Sequence, residues 1–276
     1  MKMKRWQRGT LTIFLTVASL LMVLPFFWLL STAFKPLADA FNGQLIPSHP
    51  TFSNFVSILS ANSAAEVMRW LGNSLIAAIS ASVLVMVLDS LAAFGLARLQ
   101  FFGKQVIFYL LIGSLMVPFI AVLIPLYLEF AKFNLLDTYG ALILPYTSNA
   151  FGVFLLYQFY LGIPQELEDA AIADGATRFQ MWRRVFFPLS LPATATLGML
   201  TFMGVYNDFL WPLVATSSNS MRTMTVGVAL MAIGPYSTNY PLLMALTVFS
   251  MVPTLVAFIF AQRQLMQGIA TTGITL

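Results

Sequence analysis

The residue types best suited to chemistry gather in one segment, 163–192: I-P-Q-E-L-E-D-A-A-I-A-D-G-A-T-R-F-Q-M-W-R-R-V-F-F-P-L-S-L-P. Pro164 suits a first helical position, and Glu166, Glu168 and Asp169 follow in the first turns, where the helix dipole favours negative charge. Leu167, Ala170 and Ala171 recur at i, i+3 and i+4, a narrow face of small residues. Gly175 suits a C-terminal cap at positive φ. Thr177 suits the cap of a second helix carrying Phe179, Trp182 and Phe186 on one side, with Arg183 and Arg184 near its end and Pro188 closing it. The spacing predicts an amphipathic elbow. Its alanine face and glycine bend would let a partner's backbone approach closely, and its acids would supply directional contacts. Spacing alone leaves a second reading, a surface helix packed on its own bundle with basic residues on anionic lipid.

The other candidate groups lie in apolar surroundings. Asp89 is the one charge deep in a long apolar run. It reads as paired with a polar group on another helix or reaching toward an interface; no second acid or base shares its depth to continue a proton relay. Tyr146, Asn149, Val153 and Tyr157 are spaced 3, 4 and 4, which puts them on one face of a continuous helix. Aromatic rings stack on sugar C–H faces and amides bond hydroxyls, so the stripe suits a sugar path; it equally suits helix packing in which a buried Asn finds a partner. Tyr206, Asn207, Asp208 and Trp211 close another run, either as contacts to a bound molecule or a partner protein or as an interfacial belt. There is no cysteine and one histidine, His49. Disulfides, thiolate metal sites, a cysteine nucleophile and any two-histidine site are excluded, and no metal site or catalytic set is expected. His49 reads as a solvated loop residue, and the scattered methionines read as packing.

The elements that must position these groups are membrane helices. Hydrophobic residues make up 59% of the 276 and charged residues 9%, against about 45–50% and about 25% in an ordinary soluble domain. A soluble globular domain, a disordered chain and a fibre are ruled out. The net charge of +4 is scattered, which offers no nucleic-acid footprint. A helix crossing the hydrocarbon core needs about 20 apolar residues. Such spans are predicted at 11–34, 71–97, 105–128, 140–162, 189–212 and 240–262. The uncharged run 40–65, with Pro47, His49 and Pro50, reads as a loop outside the membrane. The basic start and Ala38-Asp39-Ala40 imitate a signal peptide. The first apolar stretch exceeds the roughly 7–15 residues of a signal's core, so a retained helix is expected. Pro25, Pro118, Pro125 and Pro145 fall inside spans, where they kink helices or are tolerated by neighbours. With the N-terminus inside, the inner segments hold Lys2, Lys4, Arg5, Arg8, Arg98, Lys104, Arg178, Arg183, Arg184 and Arg263, and the outer ones hold Lys35, Arg69, Lys132 and Arg222. This bias puts both termini and the 163–188 loop in the cytoplasm and the 35–70 and 213–239 loops outside. No repeat is visible, and residues 1–276 read as one membrane domain.

Asp169-Ala170-Ala171, Gly175 and Val185-x-Phe187-Pro188 resemble the EAA loop of bacterial ABC importer permeases, whose pattern is E-A-A, three residues, G, nine residues, I-x-L-P. Asp169 stands for the glutamate, with Glu168 before it, and Val185 and Phe187 stand for the aliphatic pair. The resemblance extends over nearly the whole chain: Ser31-Thr32-Ala33-Phe34-Lys35-Pro36, Asn73-Ser74, Ala97-Arg98, Val117-Pro118, Ile124-Pro125-Leu126-Tyr127, Asp137-Thr138-Tyr139 and Asn207-Asp208-Phe209-Leu210-Trp211-Pro212. The chain is similar to the smaller permease of maltose-type carbohydrate importers.

The resemblance implies an all-α polytopic membrane protein of six transmembrane helices, with the importer-permease (MetI-like) fold and a cytoplasmic coupling helix, in the bacterial inner membrane. It implies a heterodimer with a second, larger permease, two ATPase subunits beneath it, and an extracytoplasmic sugar-binding protein that delivers cargo. Glu168, Asp169, Ala170, Ala171, Gly175 and Pro188 would form the contact that couples ATP-driven closure to alternating access. Tyr146, Asn149, Tyr157, Asn207 and Trp211 are the candidates for a substrate path. No cofactor is expected on this chain, and ATP and Mg would sit on the partner ATPase. Its one Gly-Lys, Gly103-Lys104, lacks the upstream glycine of a phosphate-binding loop. Di- or oligosaccharides are the expected cargo, with glycerol phosphate or a polyol as alternatives. The family's tail often carries basic residues that reach the ATPases, but none follows Arg263 here. An ion-coupled transporter working alone is the competing class; it predicts inverted repeats and paired intramembrane charges. An intramembrane enzyme would need a catalytic set that the sequence lacks.

Overall fold

The computed structural model describes residues 5–234 and 238–272, and among them there are only helices, turns and loops. The elements in order are α1 (Arg5–Ala33), α2 (Ser53–Ile58), α3 (Ala61–Arg98), α4 (Lys104–Ser114), α5 (Phe119–Lys132), α6 (Tyr139–Ile143), α7 (Ala150–Leu161), α8 (Gln165–Ala173), α9 (Arg178–Met181), α10 (Phe187–Leu189), α11 (Leu191–Asn207), α12 (Leu210–Ala215), α13 (Met224–Ile233) and α14 (Tyr240–Thr272). Short 3-10 turns stand at Leu37–Asp39 and Leu144–Tyr146, and a π turn at Trp182–Phe186 joins α9 to α10. The predicted loop at 40–65 thus contains α2 and the first turn of α3. Part of the polar loop before the last span, residues 235–237, lies outside the described residues.

Three helical stretches are long and apolar enough to cross a membrane alone: Gly9–Ala33, Glu66–Arg98 and Tyr240–Phe260. Three bent pairs raise the number to six if each is one span: Lys104–Ser114 with Phe119–Lys132 at 104°, Tyr139–Tyr146 with Ala150–Leu161 at 41°, and Arg178–Leu189 with Leu191–Asn207 at 79°. The spans expected at 105–128 and 140–162 are thus each a bent pair of helices, and the one expected at 189–212 begins at the 79° bend. At the first break, Pro118 sits extended as the N-cap of α5. It has no N–H to donate, and it drives Val117 out of helical geometry. Pro25, Pro125 and Pro253 stay inside α1, α5 and α14.

The described residues divide into two compact units. One holds the chain up to Met68 together with Gly227–Val252. Here the loop after α1 is folded back on the helix end. Ser31 Oγ donates to Leu45 O, Lys35 Nζ donates to Gln44 O, and Asn54 Nδ2 donates to Ala33 O and Lys35 O at 2.9 and 2.8 Å. The Phe34 ring sits 5.1 Å from both Phe52 and Phe55. Lys35, 3% exposed, thus holds the loop after α1.

The other unit holds Arg69–Val226 and the described residues from Pro253 onward. Its axis is α3, whose faces divide in the way a bilayer requires. Ser74, Ala77, Ala78, Ala81, Ser82, Val85, Asp89, Ala93 and Leu96 are buried at helical spacing, while Ile76, Ile79, Val83, Leu84, Val87 and Leu88 point outward. Lipid offers an outward Leu or Ile as good a solvent as the interior does. Small and polar residues therefore take the packed face, where backbones approach closely and hydrogen bonds find partners. The core against this face collects Phe94, Val153, Leu156, Tyr160, Met181, Trp182, Phe186 and Leu197.

Candidate functional site

The segment 163–190 forms the predicted elbow. Pro164 is the N-cap of α8 rather than its first residue, and Glu166 and Glu168 lie in the first turn. Gly175 takes φ +74° past the helix end, the left-handed conformation that glycine adopts without penalty. Thr177 caps α9 by accepting from Gln180 N, and Gln180 Oε1 accepts from Thr177 N, a reciprocal capping box. Pro188 does not close the second helix. It stands in the first turn of α10, where a missing N–H is harmless, and the chain stays helical to Leu189 before the 79° bend. Just before it, the π turn accommodates an extra residue and turns Trp182 and Phe186 together into the core.

The base of the elbow is a buried polar network. Trp182 Nε1 donates to Ser90 Oγ at 2.8 Å, Ser90 Oγ meets Tyr160 OH at 2.6 Å, and Tyr160 OH reaches Ser190 Oγ at 3.2 Å. Beside it lies Arg98, the last residue of α3, with a side chain 8% exposed. Its guanidinium donates to the carbonyls of Tyr160 and Ile163 and to Gln165 Oε1 at 3.0 Å, and stacks over Phe186 at 5.0 Å. Glu168 lies 3.6 Å from Arg98 and 3.0 Å from Arg178.

This arrangement sorts the candidate coupling residues. Glu168 and Ala171 point inward, whereas Asp169, Ala170, Gly175 and Pro188 are exposed. Leu167, Ile172 and Phe179 add exposed apolar surface around them. The outward face is therefore acidic and apolar with a small-residue centre, and the buried side carries the charge pairing. Arg98, Ser90, Tyr160 and Trp182 were missed as site residues. The Ala97-Arg98 signature was visible, but its direction was not.

The candidate path residues do not share one helix face. The stretch Leu144–Tyr146 is a 3-10 turn containing Pro145, and Asn149 is the N-cap of α7, accepting from Gly152 N at 2.7 Å. The helix is broken between Tyr146 and Asn149, so the 3, 4, 4 spacing does not project as a stripe. Ser148-Asn149 ahead of an apolar run is the capping signal that the spacing argument passed over. Tyr146 OH donates to Asp208 Oδ2. Tyr146, Ser148 and Asn149 share a cavity of about 350 Å³ with Thr201 and Gly204, and none of its lining residues is charged. Thr201 Oγ1 is buried there with no hydrogen-bond partner among the described residues. Tyr157 packs on Phe108, with ring centroids 4.7 Å apart. Asn207 is exposed and donates to Met203 O. Trp211 is fully buried, its Nε1 donating to Ala141 O at 2.8 Å and its ring 5.3 Å from Phe130. It is a packing residue here, neither an interfacial belt nor a cavity wall.

Asp89 sits behind the broken turn, fully buried. It accepts from Ser148 Oγ at 2.7 Å and from Asn149 N at 3.3 Å. A Cβ on Gly152 would fall 2.2 Å from its Oδ2, so only glycine lets α7 start this close to the carboxylate. The expected polar partner on another helix is thus a helix N-terminus. Among the described residues, no group of three His, Cys, Asp or Glu side chains is placed to hold a metal.

Residues 89–270 match the family described as "Binding-protein-dependent transport system inner membrane component". An arabinooligosaccharides transport system permease protein of Bacillus subtilis, AraQ, is 32% identical over 271 residues, covering 97% of this chain and 95% of the relative. A diacetylchitobiose uptake system permease protein of Streptomyces coelicolor, NgcG, is 31% identical over 251 residues, covering 90% and 82%. A crystal structure of a bacterial ABC transporter that imports the acidic polysaccharide alginate superposes with a TM-score of 0.84 at 20% identity, over 95% of this chain and 99% of that one; the likeness concerns the fold. With its bent helices, its elbow and these relatives, the chain belongs to the binding-protein-dependent transport system inner membrane components, as a membrane-embedded transport permease.

Proposed function

We propose that this chain is one of two permease subunits of an ATP-driven carbohydrate importer. The observation that carries the reading is the exposed small-residue face at Asp169, Ala170 and Gly175, raised on a buried ionic base. A surface helix that merely packed on its own bundle would cover its apolar residues. Here Leu167, Ile172 and Phe179 stay exposed beside Ala170 and Gly175, in a form that suits a cleft on a separate ATPase. ATP and Mg act on that ATPase, and a second, larger permease completes the path. A binding protein on the far side supplies cargo, and both termini and the elbow face the cytoplasm. Two nucleotide-bound ATPases would draw the paired elbows together and open the path outward, because the closed state binds ATP better.

For the cargo, the named relatives carry oligosaccharide titles, and the cavity at the broken turn has no cationic lining. Both favour a neutral sugar. Asn149 and Thr201 offer groups that bond hydroxyls, and the Tyr146 ring gives a surface for C–H faces. The test is to tag the N-terminus, extract in mild detergent from the native host and identify the co-purifying proteins by mass spectrometry. A second permease and an ATPase are expected. A chain that comes out alone in several detergents contradicts the reading.

A further inference from the structure

We propose that Arg98 is the positioning residue of the coupling elbow: it sockets α8 onto the end of α3, so that motion of the elbow and of the span behind it is one motion. The inference rests on the coupling role given above and adds a residue that lies outside the docking face. Arg98 touches three separate parts of the fold. Its fork takes the carbonyls of Tyr160 and Ile163 at the end of α7, Gln165 and Glu168 in the first turn of α8, and the face of Phe186 in the π turn. A cation at the C-terminus of α7 is favoured by that helix's dipole, and the same cation neutralises a carboxylate that is 6% exposed. A planar fork can meet these acceptors together, whereas an ammonium on a flexible stem meets fewer of them.

The second pair on the same carboxylate is the internal control. Arg178 lies closer to Glu168, at 3.0 Å, but its side chain is 56% exposed. An exposed pair contributes little, and removing one partner of a buried pair is costly. Proximity alone would rank Arg178 first; burial ranks Arg98 first, and the two rankings give opposite forecasts.

The chain has no cysteine, so a pair introduced at Ala92 on α3 and Ala173 on α8, both exposed, can carry spin labels in the membrane-extracted complex. The distance distribution between them is the readout. Arg98→Gln is expected to widen it at least about twofold, Arg98→Lys to give an intermediate width, and Arg178→Gln to leave it within about 10% of the parent. In the same preparations Arg98→Gln should retain the second permease while recovering less ATPase. If Arg98→Gln fails to accumulate, Arg98→Lys and Glu168→Gln carry the test, with widening expected in both. An unchanged distribution in the Arg98 variants, or widening in Arg178→Gln alone, overturns the proposal. The distance needs no partner. If the parent brings down no ATPase while Arg98→Gln still widens the distribution, the coupling role is refuted and Arg98 remains the anchor.

Discussion

The two ends of the 69–98 stretch of α3 are fastened by different chemistry. Asn73 and Arg98 are about 37 Å apart along the helix. At the Arg98 end the fastening is ionic and buried. At the Asn73 end it is neutral: Asn73 Nδ2 donates to Ser220 O and Arg222 O at 2.9 and 2.8 Å, its Oδ1 accepts from Tyr139 OH at 2.7 Å, and Trp70 Nε1 donates to Asn219 O at 3.0 Å. Outside these neutral bonds the partly exposed Asp137 carboxylate adds charged support, its Oδ1 accepting from Ser217 N and Ser218 N at 2.9 and 3.0 Å. The neutral end pins a loop that has only to stay in place. Amide bonds to backbone carbonyls do this without any buried charge to compensate. The ionic end holds a helix whose outer face, with Asp169 and Ala170, is exposed. A cation that meets several acceptors at once fixes both the position and the angle of that helix.

The comparison can be broken from either side. The largest effect is expected from Glu168→Ala, which strands Arg98 as a buried charge; a loss of about 3–5 kcal/mol is expected in detergent unfolding. Asn73→Ala removes three neutral hydrogen bonds and should cost about 2–4 kcal/mol, with the first detectable change in hydrogen exchange of the 216–223 loop. An elbow that loosened first in Asn73→Ala would show that the two ends are not independent. Gly152→Ala disturbs the middle of the axis, because its methyl would meet Asp89 Oδ2 and Leu197. It should lower stability by about 1–3 kcal/mol and alter access to the cavity at Asn149 while leaving the elbow in place. Arg178→Ala, on the exposed arm of the ionic end, should shift stability by no more than about 0.5 kcal/mol.

The smallest effect is one of pH. Burial pushes the Asp137 carboxyl up, but hydrogen bonds from Ser218 and Ser217 and the charge of Arg222 outweigh it and hold the group below the usual carboxylate range. A carboxyl lowered on folding adds stability above its unfolded pKa and loses it as pH falls through the folded value. The 216–223 loop should therefore be insensitive from about pH 5 to 8 and loosen only below about pH 4. Asp137→Asn should flatten that low-pH change, as read by amide exchange at Ser217 and Ser218.

How much of this was legible in the sequence depends on whether the cause was local. Gly175 at positive φ, the Thr177 cap and the α8 boundaries follow from residues within a few positions, and the EAA spacing located the elbow. Charge-free runs located the spans, because the bilayer sets a length that any sequence must meet. The bends did not follow. Pro118 and Pro125 are the same residue type, yet one caps the start of α5 after a 104° break and the other sits inside α5. The stripe through Tyr146 and Asn149 failed because its period assumed an unbroken helix. Burial was the least legible. Trp211 looked like a belt and Glu168 like an outward contact, and both point inward, since which face is covered depends on residues 70 positions away along the chain.

The outward face of the elbow is the seat proposed for the ATPase. Gly175 is its most direct probe, exposed and with nothing within 4 Å of where a Cβ would stand. Asparagine tolerates the left-handed conformation and tryptophan does not, so Gly175→Asn controls for backbone strain and Gly175→Trp adds bulk on the docking face. The measurement is the amount of ATPase recovered with the tagged chain, relative to the second permease. Recovery near the parent level is expected for Gly175→Asn. For Gly175→Trp a loss of about tenfold or more is expected, with the second permease retained. Undiminished ATPase recovery with Gly175→Trp would rule out docking on this face.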